Sequence, residues 1–171
     1  LYNGEEVTTI ANKNLGNRFI HGYSIDGFSY FSRSLKLNGS LSYVKGDENE
    51  TYGPMPSISP IFGTISGEYT KDKIKISALY KFSGDKSPKD YSLGGEDGLE
   101  ETPVITENSN GIIYAGTPKW SDFSIYTNYD ISEDVKIRIA LTNIFDNHYR
   151  TFASGISAPG RSFQIGLYLK L

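Results

Sequence analysis

The chain has 171 residues, and its 17 Lys and Arg against 20 Asp and Glu give a formal net charge of −3. That is enough chain for one domain, without the clustered basic face that a nucleic-acid partner requires. The absence of cysteine excludes a disulfide scaffold, thiol catalysis and thiolate metal sites. No run of about 18 apolar residues is present to make a transmembrane helix. The mean hydropathy of −0.39 nevertheless also suits a membrane barrel, in which only every second strand residue meets lipid.

Residues 1–17 lead into the first predicted strand and are expected to form a loop. The chain starts at Leu1 with neither Met nor a leader, so a mature, truncated or cleaved form is expected. Period-two alternation then marks seven segments. The first, 18–31, is the least regular, and its faces cannot be assigned from pattern. In 35–45, Leu37, Leu41 and Tyr43 alternate with Lys36, Asn38, Ser40 and Ser42. In 58–70, Ile61, Ile65 and Tyr69 alternate with Thr64, Ser66 and Glu68. In 74–83, Ile74, Ile76, Ala78, Tyr80 and Phe82 alternate with Lys75, Ser77, Lys81 and Ser83. In 119–130, Phe123, Ile125, Thr127 and Tyr129 alternate with Asp122, Ser124, Tyr126, Asn128 and Asp130. In 135–145, Val135, Ile137, Ile139 and Leu141 alternate with Lys136, Arg138, Ala140 and Thr142. In 161–171, Phe163, Ile165, Leu167, Leu169 and Leu171 alternate with Ser162, Gln164, Gly166, Tyr168 and Lys170.

No segment repeats apolar residues at three-and-four spacing, and β-branched residues and Tyr dominate, so the chain reads as all-β. A strand of about 11 residues rises ~36 Å and, tilted by ~45°, crosses the ~25 Å apolar band of an outer membrane. The predicted connections alternate in length. Those at 32–34, 71–73 and 131–134 are very short, and those at 46–57, 84–118 and 146–160 are long. Short turns on one side and long outer loops on the other are the habit of bacterial outer-membrane barrels. On the inferred lipid face, Tyr43, Tyr80, Phe82, Phe123 and Phe163 fall at outer strand ends, and Tyr69 and Tyr129 at inner ends. Amphipathic rings at both interfaces produce such girdles. The competing reading is a soluble β-barrel or sandwich that uses the same residues as core. Single-chain bacterial barrels close with an even number of strands. Seven strands from 18 to 171 are therefore expected to be an antiparallel transmembrane β-barrel segment, completed by strands outside this sequence.

The loop 84–118 carries Asp85, Asp90, Glu96, Asp97, Glu100, Glu101 and Glu107. Long loops are commonly functional, and Gly94, Gly95, Gly98 and Gly111 give this one backbone freedom. It is expected to act as a mobile ligand lid, with Asp90, Glu96, Asp97, Glu100 and Glu101 as candidate contacts; the plainer alternative is a solvated connection. No EF-hand spacing accompanies the acids. His21 and His148 are the only histidines. His148, at the start of an outer loop, is a candidate contact able to ligate haem iron, against the common case of a solvated loop histidine. No Ser-His-Asp spacing, H-E-x-x-H or phosphate-binding glycine loop is present. No enzymatic activity and no resident cofactor are expected.

Two motifs carry a resemblance. The tail from Gln164 to Leu171 has Gln164, then Gly166, then apolar Leu169 and Leu171. It resembles the C-terminal signal read by the outer-membrane barrel-assembly machinery, with Leu171 standing where Phe or Trp is usual. The stretch L-T-N-I-F-D-N-H-Y from Leu141 to Tyr149, followed by P-G-R-S-F from Pro159 to Phe163, resembles the closing hairpin of TonB-dependent outer-membrane receptors. Asn143, Phe145, Asp146, Tyr149, Gly160 and Arg161 stand on its motif positions. The segments N-L-G from Asn14 with I-D-G from Ile25, and P-M-P-S-I-S-P from Pro54 to Pro60, resemble two earlier descending strands of that family; the first lacks the family's Glu. The resemblance implies a ~22-strand plugged barrel in the bacterial outer membrane, with its C-terminus on the periplasmic side. It also implies import of a scarce nutrient such as an iron siderophore, haem or cobalamin. The implied partners are the rest of the barrel and its plug, the TonB complex, the assembly machinery and lipid. A passive channel on another barrel, or a soluble ligand-binding barrel, are the other function classes. Arg161 shares the parity of Phe163, so it either reaches water or lipid phosphates at the rim or packs over the loop.

Overall fold

A computed structural model describes residues 16–49, 53–109 and 111–170. Its main element is one antiparallel sheet of seven strands in plain chain order. The strands are β1 (Ile20–Tyr30), β2 (Leu35–Gly46), β3 (Phe62–Lys71), β4 (Ile74–Ser83), β5 (Trp120–Asp130), β6 (Val135–Thr142) and β7 (Ser162–Leu169). Two short hairpins, Glu48–Asn49 with Gly53–Pro54 and Val104–Asn108 with Gly111–Tyr114, lie in the long connections. Because each strand runs against its neighbour, the three tight turns share one end of the sheet and the three long loops share the other. The tight turns close by backbone bonds such as Phe31 N–H to Leu35 O and Ile131 N–H to Val135 O, both 2.9 Å.

The register turns the sequence alternation into two faces. One row runs Ser29, Leu37, Gly67, Ala78, Ile125, Leu141 and Phe163 across all seven strands. Its neighbours bring Ile25, Leu41, Ile65, Ile76, Ile139, Ile165 and Leu167 to the same apolar face. Near the long-loop end this face carries Tyr23 opposite Tyr43, and Tyr80 opposite Phe123. Near the turn end it carries Tyr69 and Tyr129. The other face is polar and is stitched by cross-strand pairs: Ser40 to Thr64 at 2.7 Å, Asn38 to Ser66 at 3.2 Å, and Lys136 to Asp130 at 3.1 Å.

No second layer of described residues covers the apolar face: Ile65 is 55% exposed, Ile165 69% and Leu167 62%. The sheet is open, and no described strand pairs with the outer edge of β1 or of β7. An uncovered Leu or Ile forgoes roughly 1.5–3 kcal/mol of burial, and unpaired ladder edges are costly in lipid. The architecture is therefore all-β: an open antiparallel sheet with one uncovered apolar face and two unpaired edges among the described residues.

Two strand ends differ most from the pattern-based reading, and strand pairing settles one face assignment. β3 begins at Phe62 rather than at 58, after a segment that ends in Pro60, since Pro cannot donate to a ladder. β6 stops at Thr142 because Asn143 takes a left-handed φ of 47°. The face assignment of β1 is settled by its pairing with β2: His21, Tyr23, Ile25, Gly27 and Ser29 share the apolar face, and Gly22, Ser24, Asp26, Phe28 and Tyr30 the polar one. The expected strand end at Leu171 and residues 1–15 of the expected loop 1–17, with Asn14 of the N-L-G, lie outside the described residues.

Candidate functional site

The long-loop end is held by two buried polar nodes. The first forms where β5, β6 and β7 meet, and it is built from the closing-hairpin motif. Asn143 is 2% exposed. Its side-chain amide donates to Asn147 O (2.9 Å) and Pro159 O (3.0 Å), and its Oδ1 accepts from Asn147 N–H (3.0 Å). Its own backbone N–H reaches Ser124 Oγ at 3.2 Å, and Ser124 in turn donates to Asp122 Oδ1 at 2.8 Å. A single amide thus satisfies the backbone of the loop 143–161 at both its ends. Asn tolerates the left-handed conformation better than other residues with a side chain.

Tyr149 completes this node. Its hydroxyl donates to Asp122 Oδ2 at 3.0 Å, and its ring stacks on Trp120 with centroids 4.3 Å apart and planes 15° from parallel. Burial, followed by the hydrogen bond to the Asp122 carboxylate and its charge, pushes the Tyr149 hydroxyl up to about 12. Phe145 stacks on Phe123 with centroids 6.0 Å apart. Asp146 Oδ1 accepts from Arg161 N–H at 2.7 Å, and a Cβ at Gly160 would stand 2.9 Å from that oxygen. A side chain at that position would push the carboxylate out of this place, so glycine lets the returning chain keep the Asp146 contact as it stands. The Arg161 guanidinium lies 3.9 Å from Asp146 Oδ2 and both side chains are 55% exposed, so Arg161 leans back over its own loop.

The second node is charged. Lys86 and Asp97 form a 3.1 Å ion pair with side chains 4% and 1% exposed. Burying both charges is tolerable only when their remaining valences are met. Lys86 Nζ also donates to Ile58 O at 2.6 Å and lies 4.1 Å from the Phe152 ring centroid and 5.1 Å from that of Tyr91. Asp97 Oδ1 accepts from Ser57 N–H at 2.6 Å. Tyr91 bonds Thr117 through its hydroxyl at 2.6 Å, and the Lys86 and Thr117 backbones bridge each other. Burial raises the Tyr91 hydroxyl above its ordinary range. One ammonium group therefore ties together the loop before β3, the loop between β4 and β5, and the loop between β6 and β7.

Of the acidic residues singled out in the sequence, Asp97 faces inward as part of this node, with both oxygens engaged. Asp90, Glu96, Glu100, Glu101 and His148 are exposed at the loop surface. Glu96 accepts from Ser92 Oγ at 2.7 Å, which holds its carboxyl below the usual range. Arg150 donates to Glu101 O at 2.6 Å and lies 3.8 Å from its carboxylate. These acids do not converge: among the described residues no three His, Cys, Asp or Glu are grouped to hold a metal ion. In the tail, Gln164 and Gly166 lie on the polar face, where a Cβ at Gly166 would meet the Tyr168 ring at 3.3 Å, and Leu169 lies on the apolar face opposite Val135. Leu171 is outside the described residues.

Lys86, Phe152, Trp120 and Asp122 were not singled out from the sequence as site residues. Between the nodes, Phe62, Thr64, Lys81, Trp120, Thr151 and Phe152 line a cleft of about 340 Å³. Phe62, Thr64, Lys81 and Trp120 reach it from polar-face positions. Its size is that of a small-ligand site. Its floor holds Lys81, 3.8 Å from Asp122, and the buried indole N–H of Trp120 has no hydrogen-bond partner among the described residues.

No protein-family model matches the chain, and no curated protein matches it. Solved structures do. The copper transporter OprC is 17% identical with a TM-score of 0.66, over 89% of this chain and 24% of that one. The ferric enterobactin receptor PfeA from Pseudomonas aeruginosa is 18% identical with a TM-score of 0.66, over 88% of this chain and 22% of that one. The siderophore receptor PirA from Acinetobacter baumannii is 18% identical with a TM-score of 0.64, over 88% of this chain and 22% of that one. The matched structures are TonB-dependent outer-membrane receptors. This chain is structurally similar to part of their barrels and spans between a fifth and a quarter of their length.

Proposed function

We propose that this chain is the C-terminal, membrane-spanning part of a TonB-dependent outer-membrane receptor that imports a scarce nutrient. The observation that carries the reading is the sheet itself. Its uncovered apolar face is framed by two rows of aromatic rings, and its long connections all lie at one end. Lipid is the solvent that such a face suits, and bacterial barrels place long loops outside and short turns in the periplasm. On that orientation β7 ends at the periplasmic rim. The two open edges then pair with the remaining strands of a ~22-strand barrel, which would lie outside this sequence.

The cargo class is an iron chelate, haem, cobalamin or a comparable metal complex. The cleft with Lys81 and Trp120, and the exposed Asp90, Glu96, Glu100, Glu101 and His148 of the long-loop end, are the ligand contacts in this reading. Gln164, Gly166, Leu169 and Leu171 serve assembly by adding a strand to the barrel-assembly machinery. The test is uptake of a panel of labelled ferric siderophores, haem and cobalamin by cells with and without the parent protein, each with and without a functional TonB. Uptake that needs both supports the reading. Uptake that needs the parent but not TonB leaves a passive channel, and recovery of the parent in the soluble fraction removes both.

A further inference from the structure

The apolar face carries a cationic pocket at its long-loop end. Tyr80, Phe82, Lys119, Ser121, Asn147 and His148 line about 540 Å³ of open space there. Tyr80 and Phe82 stand on the apolar face of β4, their ring centroids 6.0 Å apart and their planes 28° from parallel. Ser121 lies across from Phe82 on β5. Lys119 keeps the same parity two residues earlier. The β4–β5 register continues to the Lys86–Thr117 bridge, which sets Lys119 across from Gly84. Glycine presents no side chain to cover or neutralise it. Lys119 is exposed and in no ion pair among the described residues.

The lining holds no carboxylate, and the acids closest in sequence to it are engaged elsewhere. Asp122 lies on the polar face, where it accepts from Tyr149 and Ser124. Asp146 holds the backbone N–H and the guanidinium of Arg161. Two other open clefts at the sheet ends match their lysines with acids. Beside β1 and β2, Lys45 stands across from His21 and shares its cleft with Asp47, Glu48, Asp85 and Asp90. At the turn end Lys73, Lys136 and Lys170 share theirs with Asp130, Glu133 and Asp134. The pocket at Lys119 is therefore cationic where these two are balanced, in a chain whose formal net charge is −3.

We propose that this pocket binds the phosphate of an acylated, phosphorylated lipid of the outer leaflet. The proposal rests on the barrel reading above, which turns the apolar face to lipid and the long loops outward. Charge complementarity selects the headgroup, because an unmatched ammonium at a membrane interface attracts anionic lipid. Position selects a lipid over free phosphate. The stacked rings of Tyr80 and Phe82 share the pocket with the ammonium, and aromatic girdles lie at headgroup depth. A lysine there lays its methylene stem on apolar surface and keeps its head in water. Acyl chains of the same molecule then run down the apolar face past Ala78 and Ile125. Ser121 and His148 add hydrogen-bonding atoms to the lining. His148 also borders a loop cleft with Glu101 and Arg150, so it stands at the margin and Lys119 is the principal charge.

The experiment titrates the purified full-length parent in a mild detergent and counts bound molecules by native mass spectrometry. The probes are lipid A carrying two phosphates, the same lipid with both removed, and inorganic phosphate. The expected result is a saturable lipid adduct that forms several-fold more weakly with the dephosphorylated lipid and survives excess inorganic phosphate. Lys119→Gln should weaken it about fivefold, the worth of one basic residue at a charged lipid surface. His148→Gln should weaken it less, and Lys45→Gln, in the acid-matched cleft, not at all. Heat-modifiable mobility checks that each variant is a folded barrel. Equal binding of the two lipids, displacement by inorganic phosphate, or unchanged binding by Lys119→Gln overturns the proposal. If any of these comes with intact TonB-dependent uptake, the transport reading survives without the lipid pocket. If binding follows Lys119 in a parent with no TonB-dependent uptake, the pocket stands and the transport reading fails. Recovery of the parent in the soluble fraction overturns both.

Discussion

The two polar nodes at the long-loop end organise neighbouring loops by opposite chemistry. At the β5–β6–β7 corner the centre is a neutral amide, Asn143, whose side-chain partners are backbone groups of its own loop and whose backbone N–H donates to the Ser124 hydroxyl of β5. At the other node the centre is a charge, Lys86, whose partners come from three separate loops. A neutral hydrogen bond contributes about 0.5–1.5 kcal/mol net, whereas a buried charge stripped of its counter-ion costs several. The first node is therefore a graded fastening. The second is closer to all-or-none, because losing either partner leaves the other charged in a site 1–4% exposed.

The largest effect should follow from removing one charge of the second node. In the parent protein, Lys86→Met should loosen the loop 84–118 by about 3–5 kcal/mol, read as faster hydrogen exchange of its amides and faster cleavage by added protease. Barrel assembly should persist, because the node lies above the strands. The double variant Lys86→Met, Asp97→Leu should restore most of the protection. A single variant as protected as the parent would erase the distinction between the nodes.

Asn143→Ala is the matching cut at the neutral node. It removes three side-chain hydrogen bonds and leaves a left-handed residue without the Asn preference. The expected loss is about 2–3 kcal/mol, confined to exchange in the loop 143–161. Equal loosening of the loop 84–118 would show that the nodes are one unit.

Tyr149→Phe is a smaller cut. It deletes one donor to Asp122, which keeps Ser124 and the nearby Lys81, so about 1–2 kcal/mol is expected, with the Trp120 stack retained and indole fluorescence little shifted. Tyr149 also sets a pH window. Its pKa is raised in the folded state, so the folded loop holds the proton more tightly than the unfolded chain does. That contribution is complete below pH 10 and is lost as pH rises through about 12. Exchange in the loop 143–161 should accelerate more than the hydroxide-catalysed rate across that interval in the parent, and not in Tyr149→Phe. A parallel response in both proteins would assign the titration elsewhere.

Much of this molecule is written locally in its sequence. Strand periodicity, the alternation of short and long connections and the face parity of β2 to β7 follow from side chains that alternate every residue along a pleated strand. The closing-hairpin motif was legible because Asn143, Asp146, Gly160 and Arg161 act on one another across a single connection. The faces of β1 were not, since Phe28 and Tyr30 break its alternation and only the pairing with β2 decides them. Asp97 looked like one of seven equivalent loop carboxylates. Its burial was decided by Lys86, eleven residues away, together with Ser57 and Ile58 from another loop and Phe152 from a third. Charge in a sequence carries no information about desolvation. Which acid meets lysine in a dry site, and which stays in water, is settled only when the three loops pack together.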